Sequence, residues 1–353
     1  MSDLLQRMSE IVEDFVQQVS QAEAVVGIVV FGSFVNGKVR ETSDLDLLVL
    51  GEDIEEYSRT RRREKGILLE IYRWPLEFFG KPFLDESTNV FQDAFCFAVM
   101  RKGRIVYDPK GILDQFKRHA QTHRLPYSHL RSLVERADSS LRLARSHLEK
   151  RRLEGAELEV RRAAEELGRA LLLERDFLEI IPPKIYLPHL RKEVPGFYSI
   201  FCEVHNLRSI QRKDVEAAIQ QVSTWQGRIV EEIRKTGKED LLKQGEAIYG
   251  AQTELTNAQD CLENGDLEAA MLQARYSAIF VMSSVLRLLK GRSGKILIFC
   301  YMELLRSRHP YGEVLKSVMD FLPDRRRLRE HIEILRNIIE GHDWKQESMQ
   351  RVS

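Results

Sequence analysis

The sequence predicts an α+β protein, in which a first part that mixes strands and helices is followed by a mostly α-helical region. Two observations predict this class. Short β-branched segments that end at glycine lie before residue 125, and from Tyr127 onward almost every segment is charged, leucine-rich and helical in its apolar spacing. A chain of 353 residues suits two or three domains, because single domains hold about 100 to 200 residues. The first predicted domain is 1–124.

A predicted amphipathic helix opens the chain over residues 2 to 21, where apolar residues recur at three-and-four spacing. The next two segments predict buried strands. AVVGIVVFG (24–32) is β-branched and bounded by glycine, and SDLDLLVLG (43–51) alternates before it also stops at glycine. The segment between these two strands is therefore a tight connection.

After the second strand, EDIEEYSRTRRREK (52–65) predicts a helix, because acids at its front and bases at its back complement a helix dipole. Its RTRRREK portion (59–65) either touches phosphate or forms an ordinary solvated helix face, and the dipole pattern favours the second. ILLEIYRW (67–74) predicts a third strand, and RIVYD (104–108) is a candidate fourth.

The helical region contains an internal similarity that predicts two related units. Residues 148–172 align without gaps with residues 262–286, an offset of 262 − 148 = 114, with leucine, alanine, glutamate and arginine among the identical positions. Two helical hairpins of one kind, with a turn at Gly265–Asp266 in the second, explain the match. The alternative is that leucine, alanine and glutamate recur in any helix. The predicted helical domains are 125–245 and 246–353.

Composition argues against several classes of protein. Lys plus Arg number 54 and Asp plus Glu number 54, so the zero net charge argues against a surface that mainly wraps nucleic acid. The N-terminus has no basic start followed by an apolar run, and no stretch of about 18 apolar residues occurs, so we expect a cytoplasmic protein with no membrane partner. Four cysteines stand singly in apolar contexts and are expected to be reduced core residues: Cys96, Cys202, Cys261 and Cys300.

The segment GSFVNGKVRETSDLDLLVL, residues 32 to 50, places chemically useful groups at strand ends. Gly32–Ser33 follows the first strand, where a missing side chain, backbone N–H groups and a hydroxyl can hold a phosphate at the start of a short helix. Asp44 and Asp46 are two residues apart on the next strand, so alternation puts both carboxylates on one face, as a site for hard divalent cations requires. Considered alone, Gly32–Ser33 would indicate an ordinary turn, and an Asp-x-Asp pair is common on edge strands. Their order and placement together favour the site.

A third acid is expected in such a site. In an in-line displacement, cations must neutralise charge on both the attacking oxygen and the leaving pyrophosphate, and two metal ions can clamp both. Glu70 is the only well-placed acid in the strand over residues 67–74. We expect it to be a metal ligand or the base that takes the acceptor proton. The alternative is a strand glutamate that faces water.

The glycine–serine pair, followed on the next strand by Asp-hydrophobic-Asp, resembles the signature of the polymerase-beta-type nucleotidyltransferase superfamily. The nearest groups are the minimal and the aminoglycoside nucleotidyltransferases, and the resemblance is strong over residues 25 to 50. It implies a small mixed-sheet nucleotidyltransferase domain at residues 1–124. It also implies transfer of a nucleoside monophosphate, with AMP the expected one, from ATP or another nucleoside triphosphate, with two Mg²⁺ ions as cofactors.

By this resemblance two sets of residues have roles. The metal ligands and catalytic acids are Asp44, Asp46 and Glu70. The nucleotide-binding residues are Gly32, Ser33, Arg40 and Ser43. The sequence departs from the relatives at Phe34 and Asn36, where basic residues are frequent.

The helical remainder resembles, more weakly, HEPN domains, and this implies two four-helix-bundle-like units. Some HEPN domains are ribonucleases that use a spaced arginine–histidine pair, and RNIIEGH, Arg336 to His342, has that spacing. Histidine can act as acid and base, and arginine can hold a phosphate. The alternative, which we favour, is a helix end capped by Gly341, with a histidine that the helix dipole stabilises.

Two classes of function stay open. In the first, an enzyme modifies an acceptor hydroxyl on a small molecule, a protein or an RNA end, and the helical domains choose the acceptor and serve as a surface for homo-oligomers. Glu165 and Glu166 are then candidate acceptor bases, although an exposed helix face is favoured for them. In the second, the chain is an antitoxin-like or interaction module of a nucleotidyltransferase/HEPN system, with HEPN ribonuclease activity resting on Arg336 and His342.

Overall fold

The computed structural model describes residues 2–22, 24–37, 39–41, 43–84, 86, 89–237, 246–290, 309–321 and 324–344. A five-stranded sheet lies in the first part of the chain and helices dominate the rest, which confirms the α+β class. The described chain divides into two compact units. The first holds residues up to 130 together with 176–179, and the second holds 131–175 and 180–344. The division of the helical region at residue 245 stays a prediction.

The first unit combines a mixed sheet with short helices and a 3₁₀ turn. Its elements are α1 (Ser2–Val19), β1 (Val25–Phe31), β2 (Leu45–Gly51), β3 (Ser58–Glu64), β4 (Ile67–Pro75), α2 (Leu76–Gly80), the 3₁₀ turn Lys81–Leu84, α3 (Val90–Lys102), β5 (Arg104–Tyr107) and α4 (Ile112–Thr122). The strand order is β3-β4-β2-β1-β5. Strands β2 and β4 run parallel, and the other neighbouring pairs run antiparallel. The four predicted strands are confirmed as β1, β2, β4 and β5.

The helix predicted over residues 52–65 is wrong, because edge strand β3 occupies the second half of that segment. The charge order that matched a helix dipole came without an apolar stripe at helical spacing, so no helix face had a core to join. Instead, the side chains of β3 alternate between the two faces of the sheet, as they do in any strand. Arg61 turns toward Glu70 on one face of the sheet, and Arg62 covers an aromatic ring of α1 on the other.

One face of the sheet packs on α1 and forms a hydrophobic core of this unit. The buried residues of this core include Met8, Ile11 and Phe15 from α1 and Leu45, Leu47 and Val49 from β2. Because side chains alternate along a strand, Asp46 and the other intervening residues of β2 point to the opposite face. There the ring of Phe95 from α3 lies against the rings of Phe31 and Tyr72. The apolar core thereby fixes the direction of the residues that form the candidate site.

The regular elements of the second unit, among its described residues, are all helices. Helix α5 (Tyr127–Glu149) begins at the end of the first unit and continues into the second. The remaining helices are α6 (Leu153–Glu174), α7 (Pro183–Glu193), α8 (Pro195–Val204), α9 (Arg212–Lys235), α10 (Glu246–Glu263), α11 (Leu267–Lys290), α12 (Pro310–Met319) and α13 (Arg325–Gly341).

The predicted repeat has the same turn in both copies. Arg151 and Gly265, separated by 265 − 151 = 114 residues, both have positive φ, 54° and 76°. The N–H of Arg151 donates to the carbonyl of Leu148 at 3.2 Å, and that of Gly265 donates to Leu262 at 3.1 Å. Three further backbone hydrogen bonds around the turn recur at the same offset, and the helix after each turn also begins at that offset. The equivalence of the two hairpins is therefore confirmed at the turn.

The same offset relates two buried arginines. Arg161 of α6 and Arg275 of α11 are each 3% exposed. Both donate to carbonyl oxygens at the C-terminal end of α12: Arg161 to Met319 and Asp320, and Arg275 to Val318. The last carbonyls of a helix have no partners within the helix, so the two arginines satisfy groups that would otherwise be unpaired.

Helix α11 is a core helix of the second unit. By length and composition its stretch Leu267–Leu286 is apolar enough to cross a membrane, but 78% of it is buried inside the protein. The exposed helix face predicted for Glu165 and Glu166 is wrong. Arg169 pairs with both carboxylates, and the hydroxyl of Tyr276 from α11 donates to Glu165, so burial of this helix face draws the two acids onto an interior arginine.

The cysteines follow the prediction where the structure describes them. Cys96, Cys202 and Cys261 are buried as thiols, as expected for reduced core residues. Cys300 lies outside the described residues.

Candidate functional site

The candidate site begins at the turn that follows β1. Gly32 has φ +77°, in the left-handed region that favours glycine, and a Cβ built at this position would overlap Oδ2 of Asp46. Glycine is therefore required both by its backbone conformation and by the close approach of the carboxylate. The N–H of Asn36 donates to the carbonyl of Gly32 at 3.3 Å, a single helix-like bond. The short helix expected here is only a turn, because Gly37 again adopts positive φ and ends it.

Strand register brings the three predicted acids together. Asp46 lies opposite Phe31 of β1 on one side and opposite Glu70 of β4 on the other. Asp44 comes directly before β2, two residues away on the same face. Ligand atoms of Asp44, Asp46 and Glu70 all lie within 4.8 Å of one another. The predicted convergence of the three carboxylates near the Gly32–Ser33 turn is confirmed.

Glu70 has partners that the sequence pattern did not predict. Its side chain is 3% exposed and forms ion pairs with Arg59 and Arg61 of β3, while the hydroxyl of Tyr72 donates to its Oε2 at 2.8 Å. The alternative that Glu70 faces water is wrong. The available signal was the period of two in RTRRR, which places alternate arginines on one face of a strand.

These partners set the charge of Glu70. Burial alone would raise its pKa, but the positive charges of Arg59 and Arg61 and the hydrogen bonds from Arg59 and Tyr72 outweigh burial and lower the pKa. Glu70 is therefore an anion at neutral pH and a weak base. This environment suits a metal ligand, or an anchor for the two arginines, better than a group that accepts a proton.

Serine hydroxyls occupy two different environments near the acids. The Oγ of Ser33 is buried and has no hydrogen-bond partner among the described residues. Buried hydroxyls are normally paired, so this atom is suited to receive a ligand. The Oγ of Ser43, in contrast, accepts the N–H of Arg40 at 2.9 Å, and the N–H of Ser43 donates back to the carbonyl of Arg40 at 3.0 Å. This closed turn leads the chain into Asp44, and the side chain of Arg40 is exposed.

Aromatic rings border the acids on the same face of the sheet. The centroids of Phe31 and Tyr72 are 5.4 Å apart, and the guanidinium of Arg59 lies 5.0 Å from the centroid of Tyr72. Phe95 closes the group at 5.7 Å from Phe31. Glu70, beside these rings, is 3% exposed, and shielding from water strengthens the interaction of a carboxylate with a cation.

The donor set fits hard divalent cations. Carboxylate oxygens are the ligands that Mg²⁺ and Ca²⁺ prefer, and Mg²⁺ is usually held by one or two carboxylates together with substrate phosphates. Asp44, Asp46 and Glu70 offer the carboxylates, and the unpartnered hydroxyl of Ser33 lies in the neighbouring turn, where a phosphate would complete the coordination. The arrangement is chemically able to hold a metal-bound polyphosphate.

The candidate ribonuclease pair has separate partners. Arg336 donates from Nε to Glu340 at 2.5 Å on its own helix, and His342 Nε2 lies 3.0 Å from a carboxylate oxygen of Glu174. The predicted glycine cap is wrong, because Gly341 belongs to α13 and the C-cap is His342, with φ −84° and ψ 129°. The helix ends at a histidine whose backbone N–H donates to Ile338. HEPN ribonuclease function stays a prediction.

The segment that contains this site matches a known protein family. The family model of the nucleotidyltransferase domain matches residues 8–97, which contain the turn after β1 and all three carboxylates. No curated protein sequence matches the chain. Among solved structures, a nucleotidyltransferase-like protein from Exiguobacterium sibiricum 255-15 aligns at 13% identity and a TM-score of 0.40, covering 89% of this chain and 90% of its own. The match of residues 8–97 to the nucleotidyltransferase domain model supports nucleotidyl transfer in general terms.

Proposed function

We propose that this protein is a Mg²⁺-dependent nucleotidyltransferase that moves a nucleoside monophosphate, with AMP the expected one, from a nucleoside triphosphate to an acceptor hydroxyl. The observation that carries the proposal is the convergence of three carboxylates within 4.8 Å beside the Gly32–Ser33 turn, inside the segment that matches the nucleotidyltransferase domain. Asp44, Asp46 and Glu70 would hold two Mg²⁺ ions, which would neutralise charge on the attacking and leaving oxygens.

The three acids have related but different roles in this proposal. Asp44, directly before β2, and Asp46 on β2 would hold the ions, because their carboxylates converge on the same face of the sheet. Glu70 contributes a ligand from β4 and keeps its charge through Arg59 and Arg61. Its lowered pKa argues against the role of proton acceptor.

The triphosphate belongs at the turn after β1. Gly32 allows close approach to Asp46, and the Oγ of Ser33 is the buried hydroxyl that a phosphate oxygen would satisfy. Ser43 acts indirectly, because its hydroxyl holds the turn that precedes Asp44. Arg40 is exposed next to that turn, and its cation is available to the triphosphate.

Several features of the proposal rest on the sequence. Cytoplasmic location, association through the helical domains, and the HEPN assignment of residues 125–353 all stay predictions. The alternative of an antitoxin-like module, with ribonuclease activity at Arg336 and His342, has no support from the separate ion pairs of these residues.

Binding of Mn²⁺, which reports on Mg²⁺ sites, tests the proposal directly. In the presence of a non-hydrolysable nucleoside triphosphate analogue, we expect Asp44→Asn and Asp46→Asn to weaken Mn²⁺ binding at least about tenfold, since each removes a charged ligand. Asp53→Asn is the matched control, because Asp53 is an exposed acid just beyond β2. Equal Mn²⁺ affinity in all three variants and the parent would remove the carboxylates from the site.

A further inference from the structure

The repeat in the helical unit places the same arginine in two different environments. Arg161 pairs with Glu157, one turn earlier on α6, at 2.6 Å from Nη2 to Oε1. In the second copy Arg161 corresponds to Arg275, and Glu157 corresponds to Met271, since 275 − 161 and 271 − 157 both equal 114. The second copy therefore has methionine in the position whose carboxylate pairs with the arginine of the first.

The hydrogen bonds of Arg275 leave one nitrogen of its guanidinium unpaired. Nε donates to the carbonyl of Val318 at 3.2 Å and Nη1 donates to that of His205 at 2.6 Å. Nη2 has no partner among the described residues, although Arg275 is only 3% exposed. Buried charged groups are normally both hydrogen-bonded and paired with an opposite charge, so an anion is the partner that Arg275 lacks.

The charges around Arg275 do not replace that partner. Burial and the neighbouring cation of Arg161 lower the pKa of Arg275 to about 9, although the charges of Asp320 and Glu157 act in the opposite direction. A lowered arginine pKa means that the surroundings stabilise the cation less than water does. An additional carboxylate beside Arg275 would therefore be attracted to it.

A cleft of about 380 Å³ is lined by both Arg275 and Met271. Its other walls come from α9, from α12 and from the segment that follows α8. Small-molecule sites in proteins commonly enclose roughly 300 to 1,000 Å³. The second copy thus has room for a small ligand beside the arginine that has no carboxylate partner.

The remaining charged groups of the cleft favour a ligand that carries both signs of charge. Asp214 and Asp320 also line the cleft, and both are exposed. Asp214 accepts the backbone N–H of Gln211 at 2.9 Å, and a carboxylate that accepts one hydrogen bond can accept others. A polyanion such as phosphate would be repelled by these two acids, whereas an ammonium group would be attracted by them.

We propose that this cleft binds a free α-amino acid, whose carboxylate pairs with Arg275 as Glu157 pairs with Arg161 and whose ammonium group is attracted by Asp214 and Asp320. The residues that line the cleft lie outside residues 8–97, which match the nucleotidyltransferase domain. The cleft is therefore a second ligand site, and this inference does not depend on the proposed function.

Calorimetric titration of the full-length protein with each standard L-amino acid, without nucleotide or metal, tests the inference. We expect at least one amino acid to bind. Its α-carboxamide, which lacks the carboxylate, should bind the parent at least about tenfold more weakly, and Arg275→Gln should weaken binding of the amino acid by a similar factor, because each change removes a charge-assisted contact. No binding by any amino acid, equal binding of the amino acid and its α-carboxamide, or tighter binding of inorganic phosphate would overturn the inference.

Met271→Glu tests the inference without removing the hydrogen bonds of Arg275. It adds to α11 the carboxylate that Glu157 supplies on α6, so the new acid should pair with Arg275 and take the place of the ligand carboxylate. Met271→Gln is the matched control, because it has nearly the same size and shape without the charge. We expect Met271→Glu to bind the amino acid at least about tenfold more weakly than Met271→Gln and to unfold at a higher temperature. Equal affinities, or a lower thermal midpoint for Met271→Glu, would overturn the inference.

Discussion

At the scale of single residues, the site depends on a glycine and on a carboxylate whose charge is fixed by its neighbours. Gly32 could be assigned from the sequence by its position after a strand, but the physical reason for it is the contact with Asp46, which only the register reveals. Asp44, Asp46 and Glu70 could likewise be predicted from alternation and spacing. The arginines that hold Glu70 could not, because the dipole-like charge order of residues 52–65 concealed the period of two.

Gly32→Ala tests the close approach at the turn. The added methyl would meet Asp46 Oδ2 and also occupy φ +77°, so we expect unfolding free energy to fall by about 1 to 3 kcal/mol and Mn²⁺ binding to be lost. Gly37→Ala is the control, since it has φ +68° with no atom near its Cβ. It should lose stability through backbone strain and keep Mn²⁺ binding. Denaturant unfolding and Mn²⁺ titration of both variants separate the effects, and equal Mn²⁺ binding in the two would contradict the account.

The pairing of Glu70 predicts a pH dependence. Its pKa in the folded protein lies below the ordinary glutamate value of about 4.5. The stability from this group is therefore fully present above the unfolded pKa and is lost as pH falls through the folded pKa. Compared with the parent, Glu70→Gln should lose less unfolding free energy between about pH 5 and about pH 3. Identical pH profiles from denaturant unfolding would show that Arg59 and Arg61 do not stabilise the anion.

At the scale of elements, the repeated hairpin shows which structural features a sequence match can predict. A gapless match predicted two equivalent hairpins. The backbone hydrogen bonds of the two turns are the same at the offset of 114 residues. The match could not predict that the arginine shared by the two copies would satisfy carbonyls at the end of α12, since that depends on packing between distant segments.

The unequal residues at that turn give a prediction about stability. Arg151 holds φ 54°, which costs a non-glycine residue roughly 1 to 2 kcal/mol, whereas Gly265 holds φ 76° in the other copy without that cost. Arg151→Gly should therefore raise the unfolding free energy by up to about 1 kcal/mol, and Gly265→Ala should lower it by about the same amount. Denaturant unfolding of the two variants measures this, and shifts of the same sign would contradict the shared geometry.

At the scale of the whole molecule, the fold class and four of the five strands could be predicted from the sequence. Buried strands and amphipathic helices both have apolar residues at regular spacing, which a sequence shows directly. The sequence did not predict β3, in which Arg59 and Arg62 cover aromatic rings and whose strand character comes from pairing with β4. The pairing of Glu165 with Tyr276 was also hidden, because Tyr276 lies on a helix far along the chain. The wrong predictions concerned charged residues, because their environment depends on partners that are distant in the sequence.

The central claim is that Asp44 and Asp46 carry metal-dependent nucleotidyl transfer. The most direct test is Mg²⁺-dependent pyrophosphate release from a nucleoside triphosphate, with RNA, protein and small-molecule acceptors supplied together. Asp44→Asn and Asp46→Asn should reduce the rate on the order of a hundredfold or more, because metal-dependent stabilisation contributes several kcal/mol and each 1.4 kcal/mol is about tenfold. Asp53→Asn and the Arg336→Ala, His342→Ala double variant should release pyrophosphate like the parent. Equal release by the two asparagine variants and the parent would contradict the account.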